Sequence, residues 1–169
     1  LHSISVNNAI MAGDTHFDRV RQIAASTHEI PVAARFKGDH LCCVAGSTWP
    51  RDEDLLIRYI NSCDETVKFI LAPHEIHEEH IRRIIQQLKR PFVRFSEAKD
   101  NTVPDKQVLI IDNIGLLSSL YRYGDVAYIG GGFGKGIHNI LEAATFGLPV
   151  LFGPNYAKFN EAVELTGLG

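Results

Sequence analysis

Residues 128–154 read YIGGGFGKGIHNILEAATFGLPVLFGP, and this stretch decides the fold of the chain. It begins with an apolar strand, continues through a glycine-rich turn and a short helix, and ends in a second apolar strand. Glycines at positions 130, 131, 132, 134 and 136 allow the backbone to approach a ligand closely and leave amide N–H groups free. The following helix adds a positively polarised N-terminus. The pattern favours a site for an anionic group, most often a phosphate, over a turn with only a structural role.

Two common phosphate-binding motifs are excluded by their spacing. A Walker loop requires glycine where Ile129 stands and a hydroxyl residue where Gly136 follows Lys135, so ATP or GTP hydrolysis is disfavoured. The dinucleotide fingerprint Gly-x-Gly-x-x-Gly fails whether it is counted from Gly130 or from Gly132. The sequence therefore lacks the main motif that would indicate binding of NAD or FAD.

A ribose site is predicted directly after the glycine turn. Asn139 and Glu142 are three residues apart, which places them on one face of the first helical turn. A carboxylate at that position can accept hydrogen bonds from a diol such as ribose. Phosphate and ribose together indicate a nucleotide.

Composition and charge describe an ordinary globular domain. The chain has 169 residues, of which 45% are apolar and 22% charged, and its formal net charge is -3. Its Lys and Arg residues form no basic stripe, so nucleic acid is not an expected partner. We expect neither a transmembrane helix nor a signal peptide. The spacing of the three cysteines suggests neither a zinc site nor a disulfide framework, and we expect a reducing, cytoplasmic compartment.

Strands and helices alternate along most of the chain, which predicts an α/β fold with a doubly wound, Rossmann-like parallel sheet of about six strands. We expect residues 1–13 to be a linker or the tail of a preceding domain, and residues 14–169 to form one domain cut from a longer protein. The predicted strands are His40–Ala45, Val67–Ala72, Phe92–Phe95, Val108–Ile111, Val126–Ile129 and Pro149–Phe152. The predicted helices are one beginning at Asp14, Pro50–Asn61, His77–Lys89, one near Gly115–Tyr123, one after the glycine turn and Asn160–Gly169.

Polar and turn-forming residues follow most of these strands. In a parallel sheet such clusters meet at one edge, outside the carboxyl ends of the strands, where ligands bind. Any parallel sheet needs turn residues there, so their coincidence carries more weight than any single one. The clusters are Gly46-Ser47-Thr48, Pro73-His74-Glu75, Asp112-Asn113-Ile114-Gly115, the glycine turn and Gly153-Pro154-Asn155.

A group of histidines and glutamates between positions 74 and 80 superficially resembles a metal site. Its order does not match His-Glu-x-x-His, and we interpret His77 and His80 as the solvated first turn of an amphipathic helix. Trp49 has two equal interpretations: it stacks on a base or sugar, or it packs at the start of the helix that Pro50 begins. The acidic run Asp52–Asp54 is interpreted as favourable charge at a helix N-terminus.

The chain resembles the C-terminal, nucleotide-sugar-binding domain of the bacterial 3-deoxy-D-manno-octulosonic acid (Kdo) transferases, which are glycosyltransferases of the two-domain GT-B type. The resemblance covers nearly the whole chain in order, and its last two blocks together are the most specific. The similar segments are GDTHFDRV (13–20), AGSTW (45–49), APHE (72–75), IDNIGLL (111–117), GGGF (130–133), and HNILEA (138–143) with PVLFGP (149–154).

The resemblance implies that the donor is CMP-Kdo, that the acceptor is a lipid A precursor, and that the anomeric centre is inverted. It implies no metal and no cofactor. Lys135 would offset negative charge on the phosphate or on the Kdo carboxylate. The residues that the resemblance places at the donor are Pro73, His74, Ile114, Gly115, Leu116, Asn139, Ile140, Leu141 and Glu142, with Ser47, Thr48, Gly131 and Gly132 lining the same cleft.

Three positions depart from the family pattern. His16 and His74 stand where arginine is usual, and Leu116 stands where an acidic residue often follows glycine. Because histidine is charged only part of the time near neutral pH, donor affinity and its pH dependence are expected to differ from the family norm.

The general base of the family is an acidic residue of the N-terminal domain, which also carries the membrane anchor and the acceptor site. No catalytic residue is therefore assigned in this chain, and the isolated fragment is expected to be inactive. The full-length protein is expected at the cytoplasmic face of the inner membrane, with this domain soluble. Two alternatives stay open: a UDP-sugar epimerase domain of GT-B architecture, and a non-catalytic nucleotide-binding module.

Overall fold

The computed structural model describes residues 22, 25 and 27–167. The predicted boundary after residue 13, most of the helix predicted to begin at Asp14, and His16 lie outside these residues. The described residues form six β-strands and six α-helices. In chain order they are α1 (Pro31–Lys37), β1 (Cys42–Thr48), α2 (Pro50–Ser62), β2 (Lys68–Pro73), α3 (Glu78–Gln87), β3 (Phe92–Arg94), β4 (Val108–Ile110), α4 (Leu117–Leu120), β5 (Val126–Ile129), α5 (Leu141–Thr145), β6 (Val150–Phe152) and α6 (Asn160–Gly167), with 3₁₀ turns at Phe95–Glu97 and Tyr121–Tyr123.

The six strands form one parallel sheet in the order β3-β4-β2-β1-β5-β6. The chain builds one half of the sheet from β1 to β4 and then returns to the other side of β1 to place β5. The order therefore reverses between β1 and β5, and this is the point at which open α/β sheets bind ligands. The predicted doubly wound parallel sheet is confirmed.

Each face of the sheet is covered by its own apolar core. Successive side chains of a strand point to opposite faces. In β2, Ile70 belongs to the same apolar cluster as Phe36 of α1 and Leu120 of α4. The next residue, Leu71, belongs to the cluster on the other face, together with Ile57 of α2 and Ile81 of α3. Because both faces are covered, all six residues of β2 are buried, which explains why the strand reads as a continuous apolar run.

The predicted strands are found with ends no more than three residues from the predicted ones. The helix after the glycine turn is short, as predicted, with the five residues Leu141–Thr145. The main difference is that α1 was not predicted. The segment that forms α1 is only seven residues long, with Pro31 in its first turn, too short to show a helical period. Among the described residues, no helix has the length and apolar character needed to cross a bilayer.

Candidate nucleotide site

Three neighbouring cavities open at the edge of the sheet where the strands end. Of these three, the largest has a volume of about 500 Å³ and lies between the start of α2 and the glycine turn, at the point where the strand order reverses. A second, of about 190 Å³, lies between the ends of β1, β2 and β4. A third, of about 180 Å³, lies beside Asn139. The ring of His138 lines the first and third cavities, so these two adjoin.

The second cavity gathers the residues predicted after three different strands. Ser47, Pro73, His74, Ile114 and Gly115 all line it. Ile114 is 88% exposed, so its side chain is accessible to a ligand in this cavity. The sequence-based grouping of these five residues at one cavity therefore corresponds to a real concave surface.

Ser47 adopts a strained backbone conformation at this cavity. Its φ is 51°, which is the one positive φ of a non-glycine residue within the described chain. The pairing register of β1 with β2 shifts between Gly46 and Thr48, so Ser47 is the extra residue of an irregularity at the strand end. Such strain is typical of residues that line a binding site.

Several predicted site residues point into the protein. Thr48 is 1% exposed, and its hydroxyl donates a hydrogen bond to Glu53 Oε1 at 3.2 Å. Leu141 is buried in the core, and Leu116 packs against it, so a ligand would meet these two residues through their backbone. Gly132 lies directly against Gly153, where an added Cβ would come within 2.6 Å of that residue's backbone.

Gly131 and Lys135 line the largest cavity, whereas Asn139 and Ile140 line the smallest. Asn139 precedes α5 rather than lying in its first turn, because its side-chain oxygen accepts a hydrogen bond from the amide of Leu141 at 3.0 Å. It still contacts Glu142, since Asn139 Nδ2 lies 3.3 Å from Glu142 Oε1. The other carboxylate oxygen accepts the hydroxyl of Ser118 at 2.8 Å, which ties Glu142 to α4.

The glycine turn holds its own shape through internal hydrogen bonds. The amides of Gly134 and Gly136 both donate to the carbonyl of Gly131, at 2.9 and 3.3 Å. The amides of Gly132, Phe133 and Lys135 donate no hydrogen bond within the part of the chain that the structure describes. Only part of the turn can therefore serve a ligand, and the five-residue α5 adds a smaller dipole than a long helix would.

Two neighbouring carboxylates at the start of α2 are buried, and the first of them supports this turn; both were predicted to be helix N-terminal charges. Asp52 and Glu53 are each 1% exposed. Asp52 accepts hydrogen bonds from Tyr128 Oη at 2.7 Å and from the amides of Trp49 and Gly131 at 2.9 Å each. It therefore joins the start of α2 to β5 and to the glycine turn. A charge at a helix N-terminus, as predicted, describes only the bond to Trp49.

Glu53 forms a second buried contact, with His80 of α3. Its Oε1 lies 2.9 Å from His80 Nε2, and His80 is only 7% exposed. Burial raises the pKa of Glu53, while the hydrogen bonds and charge of His80 act in the opposite direction. The interpretation of His80 as part of a solvated turn is wrong, because α3 packs that side chain against Glu53.

His77 behaves as predicted, as an exposed residue at the start of α3. Its Nδ1 accepts the amide of His80 at 3.2 Å, so the ring proton is on Nε2, which lies 3.4 Å from Glu75 Oε2. Ligand atoms of Glu75, His77 and His80 lie within 4.8 Å of one another. A metal at His77 Nε2 would move the ring proton to Nδ1, which could then no longer accept the amide of His80, so the contacts favour a helix cap.

A cluster of three aromatic rings connects the cavities. The ring of His74 packs against both Trp49 and His138, with centroid distances of 4.4 and 4.6 Å, while the rings of Trp49 and His138 lie side by side with centroids 6.3 Å apart and planes within 11° of parallel. Trp49 Nε1 also donates a hydrogen bond to His138 Nε2 at 2.9 Å. Burial, followed by the neighbouring His74, lowers the pKa of His138. His138 was absent from the predicted site, although its place next to Asn139 in the HNILE segment was a signal that could have found it.

Comparison with known proteins gives a consistent picture. The chain is 33% identical over 120 residues to the 3-deoxy-D-manno-octulosonic acid transferase of Rickettsia prowazekii, which covers 68% of this chain and 26% of that protein. It is 26% identical over 162 residues to the transferase of the same name from Rickettsia felis, covering 93% and 34%. The chain thus spans about a quarter to a third of the length of these relatives. No protein-family model matches the chain.

A solved structure, the C-terminal CMP-Kdo binding domain of WaaA from Acinetobacter baumannii, has the same fold. The TM-score is 0.65 at 26% identity, and the alignment covers 89% of this chain and 77% of that one. The sequence match to the Rickettsia felis protein covers 93% of this chain, and the structural match covers 89%. The chain is therefore a relative of the C-terminal domain of the 3-deoxy-D-manno-octulosonic acid transferases, glycosyltransferases of the two-domain GT-B type.

Proposed function

We propose that this domain binds the nucleotide sugar CMP-Kdo and serves as the donor-binding half of an inverting glycosyltransferase that transfers Kdo to a lipid A precursor. The observation that carries the proposal is the set of adjoining cavities at the carboxyl ends of the strands, in a fold shared with a domain described as CMP-Kdo binding. Nucleotides bind at this place in open α/β sheets.

The second cavity suits the cytosine and its ribose. Ser47, Pro73 and His74 form one wall, and the exposed Ile114 and Gly115 form the other. An apolar side chain and a flat histidine ring are good neighbours for a planar base. The ribose would approach Glu142, where its hydroxyls would compete with the long 3.3 Å contact from Asn139.

The largest cavity suits the phosphate and the sugar. Lys135 and Arg51 both line it, and the amides of the glycine turn border it. As the glycosidic bond breaks, CMP departs as an anion, and these cations and amide groups stabilise the charge that develops on the phosphate. We propose that no metal is needed, because the chain itself supplies positive charge at this point.

The proposal assigns no general base to this chain. The resemblance places that group, with the acceptor site, in the N-terminal domain of the relatives. We therefore expect the 169-residue polypeptide to bind CMP and to transfer no Kdo, with the lipid acceptor and the inner-membrane face engaged by the full-length protein. Kdo transfer catalysed by these residues alone would contradict this assignment.

Calorimetric titration tests the donor class. We expect the domain to bind CMP more tightly than UMP, UDP or NAD, and to do so equally well in the presence of EDTA. A preference for UDP would favour a sugar-nucleotide epimerase instead. Absence of binding to all four nucleotides would favour a structural module.

Substitution of Glu142 tests the ribose assignment. We expect Glu142→Ala to weaken CMP binding about tenfold or more, since hydrogen bonds to a charged group contribute about 1.5–3 kcal/mol. Ser118→Ala is the matched control, because it removes the 2.8 Å bond to Glu142 and keeps the carboxylate. Both variants should lose a similar, small amount of stability. Equal CMP affinity in Glu142→Ala and the parent protein would show that the carboxylate does not hold the ribose.

A further inference from the structure

The hydrogen bond between Trp49 and His138 determines which nitrogen of His138 carries the proton. Trp49 Nε1 lies 2.9 Å from His138 Nε2. An indole N–H donates and has no lone pair to accept, so Nε2 must be the acceptor. The proton of the neutral imidazole is therefore on Nδ1. The contact selects one of two tautomers that are otherwise available to a histidine.

The position of the ring is fixed as firmly as its tautomer. One face of His138 packs against His74, with centroids 4.6 Å apart and an angle of 30° between the rings. Its backbone amide donates to the carbonyl of Gly130 at 3.1 Å, which ties it to the first residue of the glycine turn. Within the described residues, the ring hydrogen bond of His138 engages Nε2 and leaves Nδ1 available, and His138 lines both the cavity of about 500 Å³ and that of about 180 Å³. A fixed N–H donor thus stands at the junction of these two spaces.

The surroundings keep this ring neutral. Burial lowers the pKa of His138, the nearby His74 lowers it further, and Asp52 acts in the opposite direction. The other charged groups that share a cavity with the ring are Arg51 and Lys135 beside the glycine turn and Glu161 in α6. A second proton on Nε2 would face the indole N–H directly, and two donors would then oppose each other. The hydrogen bond therefore adds to the effects that disfavour the charged form.

We propose that His138 donates a hydrogen bond from Nδ1 to the anionic group of the bound nucleotide, and that Trp49 is the positioning residue that holds His138 in the tautomer able to do so. The proposal rests on the proposed function, because it identifies how the same site recognises a nucleoside monophosphate. A preoriented neutral donor strengthens its bond to the phosphate as negative charge develops there, and it needs no rearrangement during the reaction.

Nitrogen-15 NMR of the histidine side chains tests the tautomer without any ligand. We expect the parent protein to show a protonated Nδ1 and an unprotonated Nε2 for His138 at neutral pH. In Trp49→Phe, which keeps an aromatic ring for stacking and removes the N–H, we expect a mixture of tautomers. An Nε2 that is protonated in the parent protein would overturn the proposal.

Binding of CMP compared with cytidine tests the contact with the phosphate. We expect His138→Ala to lower the preference for CMP over cytidine about tenfold or more, as for a hydrogen bond to a charged partner. For Trp49→Phe we expect a decrease of about three- to tenfold, because the donor remains but its tautomer is no longer selected. Tyr123→Phe is the control, since it removes a hydrogen bond to the amide of Ile30 at a distance from these cavities. It should leave the preference unchanged.

A pH series separates positioning from a loss of stability. Without the indole N–H, Nε2 of His138 is free to take a proton, and a bound phosphate favours the charged ring. The preference of Trp49→Phe for CMP should therefore recover relative to the parent as the pH falls from about 8 to about 6. Variants that keep the full preference for CMP at every pH would refute the inference. A parent protein that binds no CMP would instead refute the proposed function, whatever the NMR result.

Discussion

Replacing Asp52 by alanine removes a buried carboxylate that accepts three hydrogen bonds. Its partners are Tyr128 Oη at 2.7 Å and the amides of Trp49 and Gly131 at 2.9 Å each. A buried donor left without an acceptor costs about 1–3 kcal/mol. Because water can reach part of the space vacated, we expect Asp52→Ala to reduce the free energy of unfolding by about 3–5 kcal/mol. For a domain of this size, that corresponds to a decrease in Tm of about 10 °C.

Asp52→Asn separates the charge from the contacts. The amide oxygen of asparagine can face the two backbone N–H groups, while its NH₂ group donates to the hydroxyl of Tyr128, which can also accept. All three contacts survive with weaker, uncharged bonds, so we expect a loss of about 1–2 kcal/mol. Tyr128→Phe removes a single partner and should cost about 1 kcal/mol.

Urea denaturation followed by circular dichroism measures all three variants. The expected order of stability is parent, then Tyr128→Phe or Asp52→Asn, then Asp52→Ala. If alanine at position 52 left the free energy of unfolding within 1 kcal/mol of the parent, the idea that this carboxylate supports the glycine turn would be wrong. Should Asp52→Ala fail to fold, the two milder variants still test the reasoning.

Two further expectations follow from the same edge of the sheet. Gly130→Ala should destabilise the domain by about 1–3 kcal/mol, because the added Cβ collides with the backbone at the end of β1. Gly134→Ala should change the free energy of unfolding by about 0.5 kcal/mol or less, since its Cβ would have an ordinary contact at 3.6 Å. Thermal melts measure both variants, and equal melting temperatures would count against the packing described. Burial raises the pKa of Asp112, but hydrogen bonds from Ser96 and Arg94 outweigh it and the net pKa is lowered. This carboxylate therefore stabilises the fold above its unfolded pKa, and the contribution is lost as pH falls through the folded pKa. Asp112→Asn should be less stable than the parent at neutral pH by about 1–3 kcal/mol. The difference should shrink as the pH falls below about 4, the unfolded pKa, and vanish only below the lowered folded pKa; a gap that does not shrink in acid would contradict the assignment.

Much of the fold was predictable because the relevant signals are local. A strand that is buried on both faces must be apolar at nearly every position, and β2 and β5 show this directly in the sequence. The glycine turn was predictable for a similar reason, since Gly130 and Gly132 lie against other backbone segments with no room for a side chain. The segment that forms α1 was too short for its apolar residues to show a helical period.

The buried polar groups were not predictable. Asp52, Glu53 and His80 look like surface residues of helix starts, because acidic residues and histidines are usually exposed there. Their burial depends on partners 27 to 79 positions away in the sequence, at His80, Tyr128 and Gly131. Nothing in the neighbouring residues encodes those distances.

By itself, the sequence determined the alternation of strands and helices over most of the chain, the edge of the sheet where the cavities open, and the likeness to the C-terminal domain of the Kdo transferases. These depend on local apolar patterns and on short motifs. Only the tertiary structure decided which polar side chains line the cavities and which are buried beneath them, where they hydrogen-bond to the lining segments. It turned Thr48 inward, buried Asp52 against the glycine turn and brought Trp49 to His138, because such contacts arise only when α2 and the ends of β1 and β5 pack together.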